Sequence, residues 1–133
     1  MALGYLEALR HSQLDEITAL IDAGVGAGLI RIYNGSRPAT GGVATTLLAE
    51  LTCTDPVALA ASGGILTLSA VSDDASANAT GTATWFRVVD STGTFVLDGD
   101  VGTSGSDLNL NSVSITSGGT VSITSFTITA GNA

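Results

Sequence analysis

The sequence contains few charged residues and no lysine. Charged residues make up 12% of the 133 residues, and the formal net charge is −8. The only cations are four arginines, namely Arg10, Arg31, Arg37 and Arg87. A protein that binds nucleic acid needs clustered cations to displace the counterions of the phosphates, and an anionic membrane surface makes a similar demand. The composition therefore argues against nucleic acid and membrane as partners.

Cysteine and histidine occur once each, as Cys53 and His11. A single cysteine forms no internal disulfide, and one residue of each type is too small a set for a zinc site. His11 would have to serve a catalytic triad with no nucleophile motif in the sequence. We therefore expect no enzyme activity, no cofactor and no metal. Calcium binding by aspartates is the alternative left open, at Asp73, Asp74, Asp98, Asp100 and Asp107.

Long apolar runs and aromatic residues are also scarce. No stretch approaches the ~20 apolar residues of a membrane-spanning helix. The N-terminus has no basic segment before an apolar core, so it does not resemble a secretory signal, and we expect synthesis in the cytoplasm. Aromatic residues are 5% of the chain, too few for the lined groove of a glycoside hydrolase.

Leucine and isoleucine recur at helical spacing over residues 3–21. At 100° per residue they fall within an arc of roughly 140°, which predicts an amphipathic helix, although Arg10 also falls inside the arc. Glycines 24, 26 and 28 end this helix and lead into a strand, the reverse of the order in a phosphate-binding loop. The apolar stripe is our candidate subunit interface, with packing on the chain's own sheet as the alternative. Its members are Leu3, Leu6, Leu9, Leu14, Ile17, Leu20 and Ile21.

The remainder of the chain has the pattern of short strands separated by polar turns. Strands are predicted at residues 29–33, 47–53, 65–71, 82–90, 94–98, 108–110, 113–116 and 121–129. The last two are predicted to form a hairpin. The apolar phase shifts between Ile123 and Phe126, which predicts a bulge, or a strand that crosses from one packing partner to another.

The predicted fold is mainly β: an antiparallel β-sandwich or jelly roll with one N-terminal amphipathic α-helix. We expect a single domain, with the helix and its glycine-rich connector at residues 1–28 and the β-sandwich at residues 29–133. Trp85 is expected in the sandwich core, beside Val88 or across from Phe95.

Five segments of the sequence stand out in order. They are ALRHSQLDEITALIDAGVGAGLIRIYNGSRPAT, LLAELT followed by DP, GTATWFRVVDSTG, DGDVGTSGSDLNLNS and VSITSFTITAG. Together they resemble a widespread family of small proteins of tailed bacteriophages and prophages. The resemblance covers nearly the whole chain and implies a virion structural protein. It brings no catalytic or ligand-binding residues with it.

The role that the resemblance implies is a capsid cement or decoration protein on the capsid surface, made in the cytoplasm of the host bacterium. Its expected partners are the major capsid protein and copies of itself, in a homotrimer. Two alternatives stay open. One is a tail, head–tail adaptor or fibre-base component, and the other is an outward-displayed glycan- or receptor-binding module.

Overall fold

A computed structural model describes residues 4–58 and 60–129 of the chain. One helix, α1 (Glu7–Ile21), opens this part of the molecule. It precedes nine strands within the described residues: β1 (Leu29–Tyr33), β2 (Leu47–Thr52), β3 (Ile65–Thr67), β4 (Gly81–Thr82), β5 (Trp85–Val89), β6 (Phe95–Gly102), β7 (Leu108–Leu110), β8 (Ser114–Ile115) and β9 (Ile123–Thr129).

Seven strands form one curled sheet in the order β2-β1-β5-β6-β7-β9-β3, and β4 pairs separately with β8. Every neighbouring pair is antiparallel except β6 and β7, which run parallel. Along the outer edge of β2, the Ser72 N–H donates to the Thr52 carbonyl at 2.9 Å and the Asn78 N–H donates to the Leu48 carbonyl at 2.8 Å. The segment that follows β3 therefore covers the edge of β2. Without this cover, the edge would be open to pairing with other chains.

The inner face of the sheet holds the hydrophobic core. Side chains alternate between faces along a strand, and the alternation places Ile30 and Ile32 of β1 inside, opposite Val88 and Phe86 of β5. Further buried residues come from the far strands and from the helix, namely Leu48, Leu51, Leu66, Leu108, Leu110, Phe126, Leu14 and Ile21. One core therefore joins α1 to both ends of the sheet.

The outer face at β1 and β5 is also buried, because residues 34–46 fold over it. Trp85 is fully buried and stacks on Tyr33 with ring centroids 4.4 Å apart. Its indole N–H lies 3.1 Å from the Asn34 carbonyl oxygen and 3.0 Å from the Thr45 hydroxyl, at the two ends of this segment. Two covered faces explain why β5 reads as an almost continuous apolar run.

The mainly β class with one helix is confirmed, whereas a sandwich or jelly roll is not. The parallel pairing of β6 with β7 departs from the predicted antiparallel arrangement. The predicted hairpin of 113–116 with 121–129 is wrong, since β8 pairs with β4 and β9 pairs with β7 and β3. The turn between them bonds elsewhere: the Gly118 N–H donates to the Ala77 carbonyl and the Ala77 N–H donates to the Gly119 carbonyl, both at 2.9 Å.

Two other strand predictions need correction, and one is confirmed. The predicted strand 82–90 divides into β4 and β5, and β6 extends through residues that were predicted as a loop. The expected neighbours of Trp85 are wrong, because Val88 faces the opposite side of the sheet and Trp85 lies opposite Asp100 in the register. In β9, Ile123 pairs with Leu110 across a register shift, whereas residues 127–129 pair with β3. The predicted bulge and change of partner therefore both occur.

Gly28→Ala is expected to destabilise the fold by about 1–3 kcal/mol, the usual range for overpacking a filled site. A methyl group at Gly28 would lie 2.4 Å from Cγ2 of Ile21 and 3.0 Å from the Val89 carbonyl oxygen. Gly26→Ala is the matched control, because its added methyl group meets only Cβ of Ser91, at 3.7 Å. Urea unfolding of both variants checks this, and equal midpoints would contradict it.

Candidate functional site

The apolar stripe of α1 divides into a buried side and an exposed side. Leu14 and Ile21 lie in the chain's own core, and Ile17 packs against it while partly buried. The opposite flank carries three exposed leucines: Leu6 is 74% exposed, Leu9 46% and Leu20 48%. We name Leu6, Leu9 and Leu20 the outer ridge. The remaining member of the predicted stripe, Leu3, lies outside the described residues.

Leu14 and Ile21 cannot meet another subunit unless the helix leaves its own core, because they are 1% and 0% exposed. Leu9 and Leu20 are about three turns apart and so lie on one side of the helix. Of the predicted stripe, only the outer ridge therefore remains a candidate interface among the described residues. The other side of the helix packs into the chain's own core.

A row of polar side chains holds α1 in this orientation. The Nε2 atom of His11 accepts a hydrogen bond from the Gly64 N–H at 3.1 Å, and the Asp15 carboxylate accepts one from the Ala61 N–H at 3.0 Å. Asp22, at the C-terminal end of the helix, accepts from the Val57 N–H at 2.9 and 3.2 Å.

These three acceptors lie on one side of the helix because residues four or seven apart share a helix face. They bond the backbone of the loop that leads into β3, so the loop's N–H groups find partners without a further strand. The same contact explains Arg10 inside the apolar arc, since a methyl group at Gly64 would lie 1.9 Å from an Arg10 guanidinium nitrogen. The outer ridge is therefore presented on a helix fixed at several points.

A second polar cluster crosses the outer face of the sheet. The register places Glu50, Arg31, Arg87 and Asp98 side by side on β2, β1, β5 and β6. Arg31 pairs with Glu50 at 2.8 Å, and Arg87 pairs with Asp98 through Nε at 2.7 Å and Nη2 at 3.0 Å. Each arginine is thus paired with the acid on its outer side.

The Arg87–Asp98 pair is enclosed. The Arg87 guanidinium lies 5.3 Å from the Trp85 ring centroid and 5.2 Å from that of Phe95. The Gly42 carbonyl accepts from Arg87 at 2.8 Å, and the Gly41 N–H donates to Asp98 at 3.1 Å. Hydrogen bonding to Asp98 raises the pKa of Arg87 above its usual range despite the opposing effect of burial. The pair anchors residues 34–46 to the sheet, which leaves it structural rather than available to a ligand.

The aspartates considered for calcium do not converge. Asp98 binds Arg87, the Asp74 carboxylate accepts from the Glu50 and Ser76 N–H groups, and the Asp107 carboxylate accepts from the Asp100 N–H. No group of three potential metal ligands is found among the residues that the structure describes. In the same part of the chain, no helix has the length and apolar character needed to cross a membrane.

A narrow groove lies between β6 and β9, and we name it the β6–β9 slot. Its walls are residues 97–99 and 127–129, its floor includes the rings of Phe86 and Phe126, and its volume is about 280 Å³. The two rings meet edge to face with centroids 5.1 Å apart. Asp107 lies at its border.

Sequence reasoning located the helix and its stripe but missed both polar clusters. The signal for the first was the spacing of His11, Asp15 and Asp22 on one side of a helix that also has an apolar side. The signal for the second was an arginine in the middle of each of two apolar strands.

Comparison of the chain with family models, with curated proteins and with solved structures finds no match.

Asp22→Ala should destabilise the protein by about 1–3 kcal/mol because the Val57 N–H loses its acceptor. Asp22→Asn should cost much less, since its amide oxygen still accepts that bond. Burial raises the pKa of Asp22 above 3.8, and this outweighs the hydrogen bond from Val57, which lowers it. The folded state therefore binds the proton more tightly, so this group favours folding most below pH 3.8 and loses that effect as pH rises through the folded pKa.

Urea unfolding of the wild type and both variants from pH 3 to 7 checks this. The difference in unfolding free energy between Asp22→Asn and wild type should shift in favour of the variant as pH rises. An unchanged difference across the range would contradict the raised pKa.

Cys53 is expected to be unreactive in the folded protein. Burial and the nearby charge of Asp22 raise the pKa of its thiol to about 11, and the thiolate is the reactive form. At pH 8, a disulfide reagent such as dithionitrobenzoate should modify one thiol per chain in 6 M guanidinium chloride and almost none without it. Complete modification of the native protein within minutes would contradict this placement.

Proposed function

We propose that the chain is a structural protein of a bacteriophage virion, a decoration protein that binds the major capsid protein and stabilises the shell. In this proposal it sits on the capsid surface as a homotrimer. The observation that carries the proposal is the outer ridge, because Leu6, Leu9 and Leu20 stay exposed while Leu14 and Ile21 of the same apolar stripe are buried in the chain's own core. The resemblance in sequence to small phage proteins supports the same role.

Burial of the outer ridge against another subunit would supply much of the binding energy. Removing a leucine side chain from water stabilises a complex by roughly 1.5–3 kcal/mol when burial is complete. Leu6 and Leu9 lie at the start of α1 and Leu20 lies near its end, so an interface over the outer ridge would extend along the length of the helix. Because His11, Asp15 and Asp22 already fix the helix, little further order has to be imposed on binding.

The charge of the chain supports assembly on another protein. A net charge of −8 steers the chain towards a basic surface. Arg31 and Arg87 are each neutralised by an acid of the same chain, Glu50 and Asp98, so the net negative charge is carried by the remaining acids. A shell built of many copies multiplies the effect of each modest contact.

The first test is the number and place of copies in purified particles, measured by quantitative gel densitometry and cryo-electron microscopy. A decoration protein is expected in hundreds of copies spread over the shell. A few copies at a vertex or in the tail would replace this role with that of an adaptor or fibre-base component. Absence from the particle would refute the virion proposal.

The second test compares two sets of substitutions in particles. Leu6→Gln, Leu9→Gln and Leu20→Gln together should reduce the copies per particle at least about tenfold, as expected when several central contacts are lost. The matched control is Val25→Gln with Val43→Gln, since these valines are 104% and 91% exposed and lie outside α1. Both sets replace exposed residues, so the unfolding midpoint should change little in either. Equal occupancy of the two sets would contradict a role for the outer ridge.

A further inference from the structure

The β6–β9 slot exists because β7 is only three residues long. β7 separates β6 from β9 where Val101 pairs with Leu108 and Leu108 pairs with Phe126. Beyond the N-terminal end of β7, residues 97–99 of β6 and 127–129 of β9 face each other across the groove. Among the residues that the structure describes, no strand pairs between these two walls, so the interior of the sheet has a vacant strand position there, with aromatic rings as its floor.

The wall formed by β6 offers unpaired backbone groups. The Asp100 N–H donates to the Asp107 carboxylate at 2.9 Å, so it points away from β5 and towards the slot. Because backbone groups alternate along a strand, the N–H and C=O of Asp98 point the same way. Within the described residues, β6 pairs on this side only at Val101 and Gly102. An extended chain laid in the slot would therefore find a strand edge to pair with.

The chemistry of the slot selects among possible occupants. Phe86 and Phe126 in the floor favour an apolar side chain. Asp107 at the border, an exposed carboxylate that accepts only the Asp100 N–H among the described contacts, favours a cation beside it. The complementary segment is extended and carries an arginine or lysine next to an apolar residue.

A second copy of this chain is poorly equipped to supply that segment. It has four cations in all. Arg31 and Arg87 lie in central strands and pair with Glu50 and Asp98. Arg10 packs against Gly64, which leaves Arg37, itself 3.5 Å from Asp100. Because Arg37 already has an acidic partner in its own chain, a different protein is the better source of the cation.

We infer that the β6–β9 slot binds an extended, arginine- or lysine-bearing segment of another protein by addition of a strand to β6. The site is separate from the outer ridge, and the inference holds whether or not the chain is part of a virion.

The test uses a capped six-residue peptide that alternates valine with arginine, and a matched peptide that alternates valine with glutamate. Each is titrated into the labelled full-length protein and followed by amide NMR and hydrogen exchange. The arginine peptide should shift the amides of residues 97–99 and 127–129 in a saturable way and slow exchange at Asp98. The glutamate peptide should bind several-fold more weakly.

Asp107→Asn should weaken binding of the arginine peptide by about threefold to fivefold, the size of one exposed ion pair, while its amide oxygen still accepts from Asp100. Asp73→Asn removes the same charge from an exposed loop and should leave the affinity unchanged. No saturable shift with the arginine peptide would overturn the inference. So would equal binding of both peptides, or shifts confined to a second groove, which lies between residues 67–71 and residues 123–127. Protection of Asp98 that rises with protein concentration alone would show that a second copy fills the slot, which also overturns it.

Discussion

The change of partners along β9 is the constraint on which the rest of the structure depends. Its first half pairs with β7 and its second half with β3, across a register shift opposite Asn109 and Leu110. This strand brings β3, which lies early in the sequence, to the far end of the sheet and so closes the curl around one core. Residues 127–129 extend past the N-terminal end of the short β7, so they face β6 across the β6–β9 slot. The second half of β9 therefore holds β3 on one side and forms a wall of the slot on the other.

The position of α1 follows from that closure. Once β3 is in place, the loop before it presents the N–H groups of Val57, Ala61 and Gly64 to one side of the helix. Side chains of α1 satisfy these donors, while Leu14 and Ile21 fill the core beneath. A helix held by both kinds of contact cannot rotate to bury its third side. The leucines of the outer ridge stay in water until another surface covers them.

The outer face of the sheet shows how a chain with few charges uses them. Two of the four arginines and their acidic partners form a row across four strands, and residues 34–46 close over its Arg87–Asp98 end. A buried ion pair contributes little net stability unless its remaining hydrogen bonds are made, and the bonds to Gly41 and Gly42 make them. The pair therefore acts by fixing one conformation of the covering segment, which also encloses Trp85.

The sequence alone determined the local elements whose signals are local. Helical spacing identified α1, alternation and apolar runs located β1 and β7 at their observed bounds, and the phase shift in β9 revealed its irregularity. Tertiary structure decided the rest. The turn at 117–120 has hairpin residues, yet Gly118 bonds Ala77, because pairing between distant strands depends on what else the core closes against. The spacing of the apolar residues predicted the helix. The placement of β3 decided which leucines of α1 are buried and which are exposed. Pairing partners and burial are properties of the whole packed chain, and no window of the sequence contains them.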